Sequence, residues 1–412
     1  MRPFEPAWIG CLELPNRLVR SATFEGLCDA EGCPGPAYVE LYAQLAAQGL
    51  GALITGFAFT SRDGRAMQPG QAGLDADARI APFTRVTQAV HRHGGRIFLQ
   101  LAHAGRQTVP AATGGRIYAP STRKSSYFNQ RPERLTEPHL ERIITDFAAA
   151  ARRAQTAGFD GVQLHAAHGY LLHQFLHPAI NDRTDDYGLD PRTGIGTAFL
   201  GRVIDRIRSK CGPAFPLLIK ISAGDDYRRS FAESEFIHLV RFLEARQLSA
   251  IEISYGTMDQ ALNIFRGQSI PVNDILAHNP RYATRSAVKR FVWRTLALPW
   301  LRRNLRPFIP MYNLAYAQLA KAQTKIPIMC VGGFRSGAHI RTAIAEKGLD
   351  FVSLARPLLC EPDFALQVRR QADYVSRCRN CNRCAVLCDA GLPTRCHARA
   401  PSEKELPHET RR

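Results

Sequence analysis

Three observations predict an α/β fold, a (β/α)8 TIM barrel carrying a cysteine-rich C-terminal extension. Eight short, nearly continuous apolar runs recur along the 412 residues. Amphipathic stretches of helical period separate them. Polar and ionisable residues gather just past the ends of the runs, where a barrel of this kind places its chemistry.

The runs at 17–21, 52–57, 96–101, 161–165, 217–222, 250–254, 327–331 and 351–354 read as strands. Their unbroken apolarity is that of strands buried on both faces, as in a parallel sheet. Helical patterns occupy 38–48, 83–93, 140–157, 199–210, 233–246, 312–323 and 338–346. Eight strand–helix repeats suit a closed barrel, and a doubly wound open sheet is the alternative. Segment 105–138 is polar and rich in turn formers, so it reads as a long loop that shapes a pocket. Segment 279–308 carries eight basic residues: Arg281, Arg285, Lys289, Arg290, Arg294, Arg302, Arg303 and Arg306. Phe291, Val292, Trp293, Leu296, Leu298, Trp300 and Leu301 are interleaved with them. Such a basic amphipathic helix suits a membrane surface, a cover over the pocket mouth, or plain packing on the barrel.

The apolar fraction of 45% excludes a disordered chain or a fibre. The formal net charge of +18 suits an anionic partner or a simply basic surface. No nucleic-acid-binding signature accompanies it. The N-terminus lacks the apolar core of an export signal, and no run reaches the ~18 apolar residues of a membrane span. A soluble, cytoplasmic protein is therefore expected. The eleven cysteines then point to metal or redox work rather than disulfides.

Distinctive residues stand at the strand ends. Gln100 and His103 close the third run, His165, His168 and Tyr170 the fourth. Lys220 interrupts the fifth, Gly332 and Gly333 end the seventh, and Ala355 and Arg356 end the eighth. Glycines let backbone N–H groups approach a phosphate, and an arginine closes on it with charge-assisted hydrogen bonds. The loops after strands seven and eight are the usual phosphate site of this fold. Gly-Gly alone is also a common turn, and His103 also fits a structural role. His165, His168 and Tyr170 within one short turn are costly to bury without a function.

In this order and on these strands, the motifs resemble those of the Old Yellow Enzyme family of NADH:flavin oxidoreductases. They are Asn16 to Thr23, Gln100 to Arg106, the His165-x-x-His168-Gly-Tyr170 turn, Asn181 to Gly188, Val331-Gly-Gly, and Ser353 to Leu358. The resemblance implies FMN, with Ser21, Ala22, Thr23, Phe24, Gln100 and Lys220 around the ring. It places Gly332, Gly333, Ala355 and Arg356 on the phosphate. His165 and His168 grip a substrate carbonyl, and Tyr170 delivers a proton. NAD(P)H is the implied electron donor, and the reaction is reduction of an activated C=C bond in a small-molecule substrate. Relatives often carry Cys, His or Thr where Phe24 falls. The implied organisation is an FMN-binding barrel at 1–372, with the basic insertion at about 279–308, and a cysteine tail at 373–412.

The tail reads Cys378-x-x-Cys381-x-x-Cys384, with Cys388 and Cys396 beyond. Thiolates at this spacing converge on one iron–sulfur cluster or on zinc. Spacing alone favours Cys388 as the fourth ligand. Resemblance to the cluster segment of the 2,4-dienoyl-CoA reductase-like branch implies a 4Fe–4S centre with Cys396 as the fourth. It also implies a possible redox partner protein, since no nucleotide-binding motif follows in the tail. Amine dehydrogenation or demethylation on the same barrel is the enzymatic alternative. An electron-transfer subunit without its own turnover, or an oligomeric assembly, is compatible with the same residues.

Overall fold

A computed structural model describes residues 1–398; the rest of the tail predicted for 373–412 lies outside the described residues. Eight parallel strands are present: β1 (Leu18–Arg20), β2 (Ala52–Phe59), β3 (Ile97–Ala102), β4 (Gly161–Ala166), β5 (Leu217–Ser222), β6 (Ala250–Ser254), β7 (Ile328–Val331) and β8 (Phe351–Leu354). They close into a barrel, each paired with its neighbours in chain order. Val19 of β1 opposite Ser353 of β8 completes the ring, which removes the open-sheet alternative. The helices between the strands are α1 (Pro36–Ala46), α2 (Ile80–His91), α3 (Glu137–Thr156), α4 (Ala198–Cys211), α5 (Glu233–Ala245), α6 (Leu314–Lys321) and α7 (Gly337–Arg341). A π-helical turn, Thr342–Glu346, extends α7. Each matches a predicted amphipathic stretch to within a few residues.

Helix α3 shows why these segments are helical. Glu137 and Pro138 open its first turn, where a carboxylate meets the positive end of the helix dipole and proline loses no hydrogen bond. Leu140, Ile143, Ile144, Phe147, Ala151 and Ala154 recur at helical spacing and are buried against the barrel. Gly158, with φ of 85°, lets the chain leave the helix in the left-handed conformation.

The barrel interior is closed at its N-terminal end. An antiparallel ribbon, Ala7–Ile9 with Leu12–Leu14, lies across it. Ile9 and Leu14 pack into one cluster with Val19, Ile54, Phe98, Leu218, Met329 and Phe351, drawn from six strands. With this end filled by side chains, the barrel opens at the strands' C-terminal ends.

Truncating Phe98, fully buried in that plug, should lower stability by ~3–5 kcal/mol. Trp8→Ala on the same ribbon, 56% exposed, should cost within ~0.5 kcal/mol. Denaturant unfolding followed by circular dichroism of F98A and W8A checks the contrast.

Candidate active site

The strand ends open into one cavity of about 780 Å³. Every residue assigned from sequence to the flavin and substrate lines it: Ser21, Ala22, Thr23, Phe24, Gln100, His165, His168, Tyr170, Lys220, Gly332, Gly333, Ala355 and Arg356. His103 does not. It is buried beside Asp63, 3.8 Å away, in a structural position.

The floor is a buried polar chain. Glu252 of β6, fully buried, accepts hydrogen bonds from Ser21 Oγ at 2.7 Å and Gln163 Nε2 at 2.9 Å. Lys220 Nζ donates to Ser21 Oγ at 2.8 Å and lies 3.5 Å from Glu252 Oε2. Gln100 Nε2 donates to Gln163 Oε1 at 2.7 Å. A buried charge needs such partners. Here they hold an ammonium group against the cavity.

One wall is the turn after β4. His168 has a φ of 60°, which turns the chain back sharply. Its amide donates to Ser222 Oγ at 3.0 Å, and its Nε2 lies 2.8 Å from Ser254 Oγ. The turn sets the His165 ring edge-on to His168 at 5.0 Å and tilted to Tyr170 at 4.8 Å, centroid to centroid. Burial, with the Lys220 charge and neighbouring histidines adding to it, holds both imidazoles well below the ordinary histidine value. Burial, then the nearby Asp389 and Cys388, pushes the Tyr170 phenol up. Near neutral pH the wall therefore offers two neutral imidazoles and an un-ionised phenol. Opposite, β2 carries a register irregularity between Ile54 and Phe57. Phe57 enters the cavity 5.8 Å from Phe24 and 5.4 Å from Tyr170.

The far end fits a phosphate. Gly332 and Gly333 have φ of 133° and 78°. A Cβ on Gly332 would lie 2.6 Å from the Tyr312 ring and 2.7 Å from Asn313 Nδ2. Only glycine makes this close turn without strain. Arg356 is held by Asn382 Oδ1 at 2.9 Å. His165 Nδ1 and Ser353 Oγ, both buried on cavity-lining residues, have no hydrogen-bond partner among the described residues. Unsatisfied polar atoms on a cavity of this size, together with an ammonium and a glycine–arginine end, fit FMN.

The cysteines divide in two. Cys378, Cys381, Cys384 and Cys396 ring a second cavity of about 380 Å³, joined by Cys360. Cys360 follows β8, far from the others in sequence, so spacing gave no sign of it. Cys388 instead lines the large cavity, its Sγ donating to Ala385 O at 3.1 Å. Among the described residues no three His, Cys, Asp or Glu side chains converge on a point that suits a single metal ion.

Three residues in or beneath the large cavity escaped the sequence reading. Glu252 was visible as the one carboxylate in the apolar run Ala250–Ser254. Asp389 and Tyr127 were not, because their meeting is tertiary. Asp389 accepts from Gln68 Nε2 at 2.8 Å and from the Tyr127 hydroxyl at 2.9 Å, and burial raises its carboxyl. The loop at 105–138 shapes the pocket, as expected, through Ser126 and Tyr127.

A sequence profile of the NADH:flavin oxidoreductase / NADH oxidase family matches residues 3–270. The chain is 28% identical over 402 residues to 4,4'-dithiodibutanoate disulfide reductase of Rhodococcus erythropolis, covering 96% of this chain and 94% of that one. It is 28% identical over 381 residues to NADH oxidase of Thermoanaerobacter brockii, covering 92% of this chain but spanning about half, 52%, of that relative. Its fold is shared with a 2-naphthoyl-CoA reductase solved with 2-naphthoyl-CoA: TM-score 0.78, 22% identity, covering 94% of this chain and 56% of that one.

At pH 6 an ordinary histidine of pKa ~6.5 is mostly protonated. His165 and His168 should still show neutral-imidazole 15N shifts there, by NMR with assignment from His→Gln variants. Lys220→Met should move both values up, since the Lys220 charge depresses both. Protonated rings at pH 6 in the unaltered protein would contradict this account.

Proposed function

We propose, for a chain that belongs to the NADH:flavin oxidoreductase / NADH oxidase family, that it is an FMN-dependent oxidoreductase reducing an activated C=C bond with electrons from NAD(P)H. The substrate class is an enone, enoate or dienoyl compound. The observation that carries this reading is the wall of two neutral imidazoles beside an un-ionised phenol, facing one cavity with a buried ammonium group.

FMN, when bound, supplies the carrier that takes hydride from NAD(P)H and passes it to an electron-poor alkene. The chain supplies the rest. His165 and His168 hold the carbonyl oxygen that gains negative charge in the transition state. As neutral rings they donate without needing a proton from solvent. Tyr170 keeps its proton near neutral pH and gives it to the α-carbon as general acid. Gly332, Gly333 and Arg356 would hold the phosphate. Lys220 would offset negative charge on the ring, moderated by Glu252 at 3.5 Å. Phe24 and Phe57 exclude water from the reacting edge.

We read the tail as a 4Fe–4S site on Cys378, Cys381, Cys384 and Cys396, as in the 2,4-dienoyl-CoA reductase-like branch. The gathering of these four cysteines on one cavity supports a shared ligand for them. A separate redox protein would exchange electrons with it.

Tyr170→Phe should slow the half-reaction with cyclohexenone by ~10²–10⁴-fold and leave flavin reduction by NADPH nearly unchanged, in anaerobic stopped-flow. Unaltered protein that turns cyclohexenone over no faster than free FMN would end the reductase reading. Anaerobically purified protein should hold about four irons per chain. Cys388→Ala should keep that iron and Cys396→Ala should lose most of it; the reverse would make Cys388 the ligand.

A further inference from the structure

The segment that covers the cavity mouth has a second apolar face that none of the described residues covers. It runs as a nearly continuous helix: Ala287–Val292, a π-helical turn Trp293–Ala297, and Leu298–Arg303. Trp293, Ala297, Trp300 and Leu301 line the cavity. On the outer side Val288, Phe291 and Leu296 are 73%, 67% and 69% exposed, with half-exposed Val292 between them. Their spacing of three, four and eight residues puts them on one stripe. A lid needs one apolar face to close a pocket. A second, turned to water, is a cost without a partner.

Charge identifies the partner. Residues 279–308 hold eight Lys and Arg and no Asp or Glu. Among the described residues only Arg306 pairs with a carboxylate, Asp226 at 2.7 Å. Arg285, Lys289, Arg302 and Arg303 stand exposed around the stripe. A second copy docking by this face would set the same cations against each other, because a two-fold interface is self-facing. An anionic lipid surface meets both halves of the pattern. Its headgroups pair with the cations and its acyl boundary takes the apolar stripe.

We propose that residues 279–308 dock the protein on an anionic membrane surface, with Val288, Phe291, Val292 and Leu296 inserted at the headgroup boundary. The helix then lies between lipid and cavity. Given the reductase reading above, the substrate enters from the lipid side past Trp293 and Trp300, which suits a poorly water-soluble compound. Docking itself does not depend on that reading, and its test requires no turnover.

The test is co-sedimentation of the purified holoprotein with phosphatidylcholine vesicles, with and without phosphatidylglycerol. Binding should require phosphatidylglycerol, fall with added salt, and shift Trp emission to the blue, since two of the chain's three tryptophans are on this helix. Phe291→Ser with Leu296→Ser should abolish binding while flavin content and cyclohexenone turnover stay unchanged, because neither residue lines the cavity. Neutralising Arg285, Lys289 and Arg302 to Gln should weaken binding on the order of 100-fold. No binding to phosphatidylglycerol vesicles overturns the proposal. So does binding that F291S/L296S leaves intact, which would assign it to the net positive charge alone. A concentration-dependent dimer in sedimentation velocity that F291S/L296S abolishes would assign the face to a second copy instead. Docking without enone turnover would leave docking standing and remove the reductase reading.

Discussion

The site depends on one buried carboxylate. Glu252 stands inside the barrel with no access to water, so its charge must be met by neighbours. Ser21, Gln163 and Lys220 meet it, and Gln100 extends the chain. These residues come from β3, β4, β5, β6 and the segment just after β1. The network can form only if the barrel closes in the observed register. It ties the strand ends together and holds an ammonium group at the cavity floor. Removing one partner of such a buried pair costs ~3–5 kcal/mol. The same interaction therefore serves both the fold and the chemistry.

On that floor the turn after β4 sets the reaction type. The left-handed conformation of His168 brings two imidazoles and a phenol onto one wall within a few residues. Burial then decides their protonation. Water would leave the histidines partly charged near neutral pH, whereas here desolvation and the Lys220 charge keep them neutral. A wall of neutral donors suits an oxygen that gains charge, and a protonated tyrosine beside it suits completion of the reduction.

The tail is more than an appendage. Asn382 holds Arg356 at the Gly332–Gly333 end of the cavity, and Asp389 meets Tyr127 and Gln68 near Tyr170. Glu361 anchors the approach to the cysteines through Tyr374, Ser376 and Arg377. The segment that presents the cysteine ring thus also completes the large cavity. Arg356 and Cys384 line both cavities.

The order of strands and helices was legible in sequence because each element carries its own period of burial. A strand buried on both faces is apolar throughout, and a barrel helix is apolar on one side. The motifs at the strand ends were legible because tight backbone turns demand particular residue types locally, such as glycine at Gly332 and Gly333. Contacts between segments distant in the chain were not. Nothing near Asp389 announces Tyr127, and nothing near Cys396 announces Cys360. Spacing pointed to Cys388, yet Cys388 lines the large cavity and Cys396 the smaller one, because the direction of a thiol depends on where the short helix Arg383–Leu387 packs. Local sequence determined which groups stand at which strand ends. Barrel closure and burial, which act across the whole chain, decided which of them meet and in what charge state.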